Sequence, residues 1–188
     1  MPTRLRRILL GCVVAAATFL ALVWRFAEPD AVQALRPPPE IPALTLAEFD
    51  TTADAQLLEL VQAEGTRRIL LAGRGWDGGR QALPDELRHL WTIGAMEADL
   101  HQSGFAHVRR LSTGPSPMLP PLADLAEAYR AIGQEVLASA VESAIADGEG
   151  GSERADAAFR TAIAGSGLRA QRVAYARRNR AFLVAAPP

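Results

Sequence analysis

Ile8 to Trp24 contains no charged residue and is apolar almost throughout, and Arg4, Arg6 and Arg7 precede it. Seventeen helical residues span about 26 Å, near the lower limit for crossing the hydrocarbon core of a bilayer. Arg7 and Arg25 flank the run and can snorkel to the two interfaces, and Trp24 lies where interfacial tryptophans are common. The run therefore sets aside residues 1–25 as a single-pass signal-anchor, with contact to the membrane through residues 8–24. The three arginines and the amino terminus before the run, against Arg25, Glu28, Asp30 and Arg36 after it, place the N-terminus in the cytoplasm by the positive-inside tendency. The expected location is the inner (cytoplasmic) membrane, with the rest of the chain outside or periplasmic.

Two other uses of such a segment are weaker. A cleaved signal peptide needs small residues just past the apolar run, and the best such site, Val32-Gln33-Ala34, lies well beyond Trp24 and Arg25. Lipidation at Cys12 would use Leu9-Leu10-Gly11-Cys12, but only Ile8 to Gly11 separate it from Arg7 and the apolar run continues past it. Cys12 is the only cysteine, so the remaining chain has no intramolecular disulfide, thiol nucleophile or thiolate metal site.

Residues 26–43 carry Pro29, Pro37, Pro38, Pro39 and Pro42, and the proline triplet favours extended polyproline II. They are expected to form a semi-rigid spacer ahead of a domain at residues 44–188. All 20 basic residues of the chain are arginines. From Pro37 onward there are 15 Arg against 19 Asp and Glu, a balance of −4. Such a mixed, mildly acidic surface calls for no nucleic-acid partner.

The domain's apolar spacing is helical, and no alternating run is long enough for a sheet. Thr51 or Thr52 can cap a helix carrying Leu57, Leu58, Leu60 and Val61, which Gly65 would stop. Arg68 to Ala72 is ambiguous between a helical turn and a short strand, and Gly73 to Gly79 reads as a loop. Pro84 with Asp85 and Glu86 opens a helix whose apolar face holds Leu87, Leu90, Trp91, Ile93, Met96 and Leu100, ending at Gly104. Phe105 to Leu111 is a short further helix, and Ser112 to Pro121 a proline-rich loop. Helices follow over Leu122 to Ile132, stopped by Gly133, and Glu135 to Ala146, with apolar Val136, Leu137, Ala140, Val141 and Ile145. Asp147 to Ser152 is a turn. Arg154 to Ala164 is a further helix, and Leu168 to Val184 a last, arginine-rich one. The expected fold is mainly α: the anchor, the spacer, then a compact multi-helix domain.

Few residue sets suggest chemistry. Gly73-Arg74-Gly75-Trp76-Asp77-Gly78 fits G-x-G-x-x-G, but Pro84 starts the next helix too late and no second strand follows, so a loop is preferred to a phosphate cradle. Glu97 and His101 share a helix face and with Asp99 or His107 would be the ligands of a metal-dependent hydrolase, yet no H-E-x-x-H pattern is present. Gly165-Ser166-Gly167 is a turn and no nucleophile elbow. Arg169, Arg172, Arg177, Arg178 and Arg180 read as a solvated face paired with acidic neighbours such as Glu153 and Asp156. Contact of this helix with anionic lipid or an acidic partner is the competing reading.

Glu86 to Phe105 followed by Glu127 to Gly133 resembles an all-helical bacterial domain family of unknown function that includes an acidic DNA-mimic protein. The resemblance spans about residues 83–182. Asp99 stands at the family's acidic place, His101 and Gln102 at its amide pair, and Ser103-Gly104-Phe105 at its Gly-Gly-Phe, with Ser103 in place of a glycine. Ala131-Ile132-Gly133 matches the helix end, and Tyr175, Asn179 and Phe182 resemble its last helix. The resemblance implies a helical fold and a binding motif at Asp99, His101, Gln102, Gly104 and Phe105. It brings DNA mimicry with it, which needs a denser array of carboxylates than this chain has. No catalytic residue, metal or cofactor is expected. The functional expectation is a membrane-tethered interaction module for another protein, with an enzyme and a DNA mimic as the alternatives.

Overall fold

A computed structural model describes residues 42–113 and 117–184 of the chain. The expected anchor at residues 8–24 and the spacer up to residue 41 lie outside them. Among the described residues, no helix is long and apolar enough to cross a membrane. They form helices and turns with no strand, so the domain is mainly α as its spacing predicts.

The first helix, α1 (Leu46–Thr51), starts at a complete capping box: Glu48 N–H donates to Thr45 Oγ1 at 3.2 Å, and Thr45 N–H donates to Glu48 Oε2 at 3.0 Å. Thr51 and Thr52, expected to cap the next helix, instead end α1. Their hydroxyls donate to Ala47 O at 2.8 Å and Glu48 O at 2.6 Å. The next helix, α2 (Asp54–Leu71), runs straight through Gly65 and takes in the ambiguous Arg68 to Leu71. A Cβ on Gly65 would lie 2.6 Å from Trp91 Cδ1, so this glycine lets two helices approach and stops neither. Trp91 Nε1 donates to Thr66 Oγ1 at 3.1 Å across the same contact.

The segment expected as a glycine loop is a two-turn helix, α3 (Gly75–Gln81). Gly79 explains it: a Cβ there would sit 2.6 Å from Ile69 O, so the bare backbone packs onto the end of α2. Trp76 stacks on Trp91 with ring centroids 6.0 Å apart, and buried Arg80 pairs with Asp124. The central helix is α4 (Asp85–Thr113), which packs against α2 and the helices that follow. It breaks where the sequence predicts, at Gly104, with φ 75° and ψ −178°, and resumes at the next residue.

Helices α5 (Leu122–Ala131) and α6 (Glu135–Asp147) form a hairpin turned by Gly133 at φ 83°. On α6 the buried stripe is Leu137, Ala138, Val141 and Ala144, while Val136 is 69% exposed and Ile145 42% exposed. The true face is rotated from the expected one because small alanines, rather than the bulkier end residues, meet α5 and α7. A 3₁₀ turn at Gly148–Gly151 leads into α7 (Ser152–Gly165). Phe105, Phe159 and Tyr129 meet in the core, with Phe105 and Phe159 edge-to-face at 5.4 Å and Tyr129 6.1 Å from Phe159.

The last arginine-rich segment is two helices, α8 (Leu168–Arg178) and α9 (Arg180–Leu183). Asn179 interrupts it by donating Nδ2–H to Tyr175 O at 3.0 Å. Arg177 holds α1 down: it donates to Phe49 O and Thr52 O, both at 2.6 Å, and to Asp54 Oδ1 at 2.9 Å. A cation is favoured there because helix-end carbonyls carry partial negative charge.

Candidate functional site

Helices α2, α4 and α8 do not close on one another along their whole length. On α4, Gly94, Glu97, Ala98 and His101 recur at helical spacing and face the same side. Ala55, Leu58, Gln62 and Ala63 of α2 form the opposite wall, and Arg169 and Arg172 enter from α8. The result is an open trough of about 730 Å³. A second hollow of about 980 Å³ runs along the other side of α8 past Leu168 and Val173, and shares Ala55, Glu97, His101 and Arg169 with the first. Volumes of this size, mostly apolar walls and a few converging polar groups are the ordinary features of binding sites.

The trough floor is charged. Arg172 is only 8% exposed, and its Nη1 donates to Glu97 Oε2. Burial pushes the guanidinium pKa down, while Glu97 and Tyr129 push it up; the group stays cationic at any physiological pH. Arg172 Nε and the Tyr129 hydroxyl are both buried without a hydrogen-bond partner among the described residues. Burial, then the charge of Glu97, push the Tyr129 phenol pKa up against the opposing pull of Arg172. Gly94 keeps this floor open. A Cβ there would lie 2.2 Å from Gln62 Oε1 and 3.2 Å from Arg172 Nη2. Gln62 is itself placed by its amide, which donates to Trp91 O at 3.3 Å.

Four of the five motif residues, His101, Gln102, Gly104 and Phe105, sit at the α4 break. Phe105 is fully buried in the core, and its N–H donates to Asp156 Oδ1 at 2.8 Å. A Cβ on Gly104 would lie 2.3 Å from Asp156 Oδ2, so the glycine admits the carboxylate that caps the resumed helix. His101 and Gln102 are exposed and line, with Asp156 and Arg160, a small hollow of about 180 Å³ beside the break. Asp99 points elsewhere, its Oδ1 lying 3.9 Å from His107 Nε2. Motif and trough meet at His101, which lines both.

Of the arginines of α8 and α9, Arg169, Arg177 and Arg180 are partnered with the N-terminal helices, and Arg172 with Glu97 of α4, rather than with Glu153 and Asp156. Arg169 Nη2 donates to Ala55 O at 2.5 Å, Arg177 pairs with Asp54, and Arg180 lies 3.2 Å from Asp50. The set Glu97, Asp99 and His101 does not converge: Glu97 faces Arg172 and Asp99 faces His107. Among the described residues no three His, Cys, Asp or Glu side chains are placed to hold a metal. Ser166 Oγ donates to Ile163 O at 2.9 Å and accepts from Leu168 N–H at 3.2 Å, which consumes it in the turn. Arg172 and Asp156 are the site residues that local pattern did not single out, since each takes its role from a residue far away in the chain. No family model, curated protein or solved structure matches the chain.

Proposed function

We propose that this chain is a non-enzymatic interaction module, tethered through residues 8–24 with its helical domain outside the cytoplasm, that seats part of another envelope protein in the α2–α4–α8 trough. The observation that carries this reading is an open apolar trough with a buried, incompletely hydrogen-bonded arginine in its floor. Buried arginines beside apolar walls are the residues on which interfaces concentrate their binding energy. Enzymatic use draws less support, because the carboxylates considered for it do not converge: Glu97 faces Arg172 and Asp99 faces His107. The DNA-mimic reading draws little either. Acidic residues of the described surface are interleaved with arginines, as where Arg130 pairs with both Glu135 and Glu142.

A photo-crosslinking residue at Leu58 on the trough wall, compared with one at exposed Val136 on α6, tests it in cells expressing the full chain. A discrete adduct to one protein from Leu58 alone is the expected result. Equal labelling from both positions, or none from Leu58, overturns the proposal.

A further inference from the structure

Four of the large apolar side chains left exposed gather at one end of the domain. Leu70 and Leu71 end α2, and Trp76 lies in the first turn of α3, which packs back onto that end where Gly79 meets Ile69. Phe182 joins them from α9, because Arg68, one turn before Leu71, donates to Phe182 O and Leu183 O, both at 3.2 Å. Single exposed apolar residues are ordinary on a protein surface, whereas a group of them marks a surface of contact. None of the four lines the trough or the other two hollows, which argues against a small ligand, whose sites are concave.

The path of the chain and the charges at this end say what it meets. Residues 1–41 precede the described domain, and the chain enters it here: Leu44 N–H donates to Glu64 Oε2 at 3.1 Å, one turn of α2 before Arg68. Residues 25–41 would reach about 50 Å even as extended polyproline II. A tether at residues 8–24 therefore holds this end near the bilayer, where a contact too weak to capture a membrane from solution is populated. Tryptophan and arginine suit such an interface, the indole at headgroup level and the guanidinium on lipid phosphate. Exposed Arg74 stands between Leu71 and Trp76 and has no ion-pair partner among the described residues. The exposed carboxylates beside the group, Asp77 and Asp50, already face Arg80 and Arg180.

We infer that this end of the domain is a lipid-contacting surface: Leu70, Leu71, Trp76 and Phe182 enter the boundary between headgroups and acyl chains of the bilayer, and Arg74 meets lipid phosphate. This rests on the tether proposed above and is independent of what the trough binds.

The test uses the full-length chain with Cys12→Ala and a single new cysteine, Leu71→Cys or Val136→Cys, carrying a nitroxide. The two positions are matched in exposure, at 66% and 69%, but Val136 lies on α6. The chain is reconstituted in vesicles of equal parts phosphatidylcholine and phosphatidylglycerol. Paramagnetic resonance reads the ratio of collisions with oxygen, which concentrates in lipid, to collisions with a water-soluble nickel chelate. The ratio at Leu71 is expected to be severalfold that at Val136, and to fall toward it with Arg74→Glu or in phosphatidylcholine alone. Flotation of the same vesicles at alkaline pH reads the tether separately. A chain that stays with the vesicles while both positions give the aqueous ratio overturns the surface and leaves the tether. A chain stripped by alkali removes the tether, and a high Leu71 ratio before stripping then still supports the surface. A Leu71 label shielded from both probes, and freed by dilution with unlabelled chain, overturns lipid in favour of a second copy. A ratio that Arg74→Glu and neutral vesicles leave unchanged overturns the phosphate contact.

Discussion

Replacing Gly104 with alanine strikes two features of the α4 break at once, and the structure separates their sizes. The first is backbone strain. At φ 75° and ψ −178° the residue sits in a region that is essentially glycine's alone, and holding another residue there costs about 1–3 kcal/mol. The second is the cap. The new Cβ would fall 2.3 Å from Asp156 Oδ2, so the carboxylate must leave, and with it the 2.8 Å bond to Phe105 N–H. Stranding that buried N–H adds about 1–3 kcal/mol. The expected total is about 2–6 kcal/mol, a large part of a domain's usual stability of about 5–15 kcal/mol. Gly133→Ala is the control: its φ is 83°, but nothing lies within 4 Å of the added Cβ, so it carries strain alone. Asp156→Ala removes the cap alone. Equilibrium urea unfolding followed by circular dichroism reads all three. Gly104→Ala should be the least stable and close to the sum of the other two effects. A Gly104→Ala protein no less stable than Gly133→Ala would refute the argument.

Burial raises the pKa of Glu64, but hydrogen bonds from Arg67, Arg68 and Leu44 N–H outweigh it and leave the carboxyl below its ordinary 4.5. Because the folded value is the lower one, Glu64 contributes stability above pH 4.5 that is lost as pH falls through the folded value. Melting temperatures measured from neutral to acid pH should drop over that window, and Glu64→Gln should flatten the drop while lowering stability at neutral pH. Tyr129→Phe removes a buried hydroxyl that has no recorded partner, so its unfolding free energy should change by less than about 1 kcal/mol or rise; a larger loss would show that the hydroxyl is bonded.

The helical class and most helix ends were legible because they are local: Pro84 before a first turn, Gly133 after a last one, and the break at Gly104. The misread glycines failed for the opposite reason. Gly65 looks like a stop and Gly79 like the end of a loop, yet each is small for the sake of a neighbour, Trp91 and Ile69, that only the folded chain brings near. The face of α6 was misjudged because alanines carry little hydropathic signal even where they are the contact. His101, Gln102, Gly104 and Phe105 do meet at the α4 break while Asp99 points away from it, and the capping carboxylate that organises the break, Asp156, comes from α7. Arg172 was one arginine in a row of five, and nothing local distinguishes the buried one from its exposed neighbour Arg169. Its pairing with Glu97, across 75 positions of sequence, is what makes it a site residue.

An exported docking domain must face away from the cytoplasm, and a tag placed after Pro188 tests that directly. In intact cells whose outer barrier is permeabilised, added protease is expected to remove the tag while a cytoplasmic marker survives. A tag protected to the same degree as that marker would contradict the account, placing the trough on the cytoplasmic side.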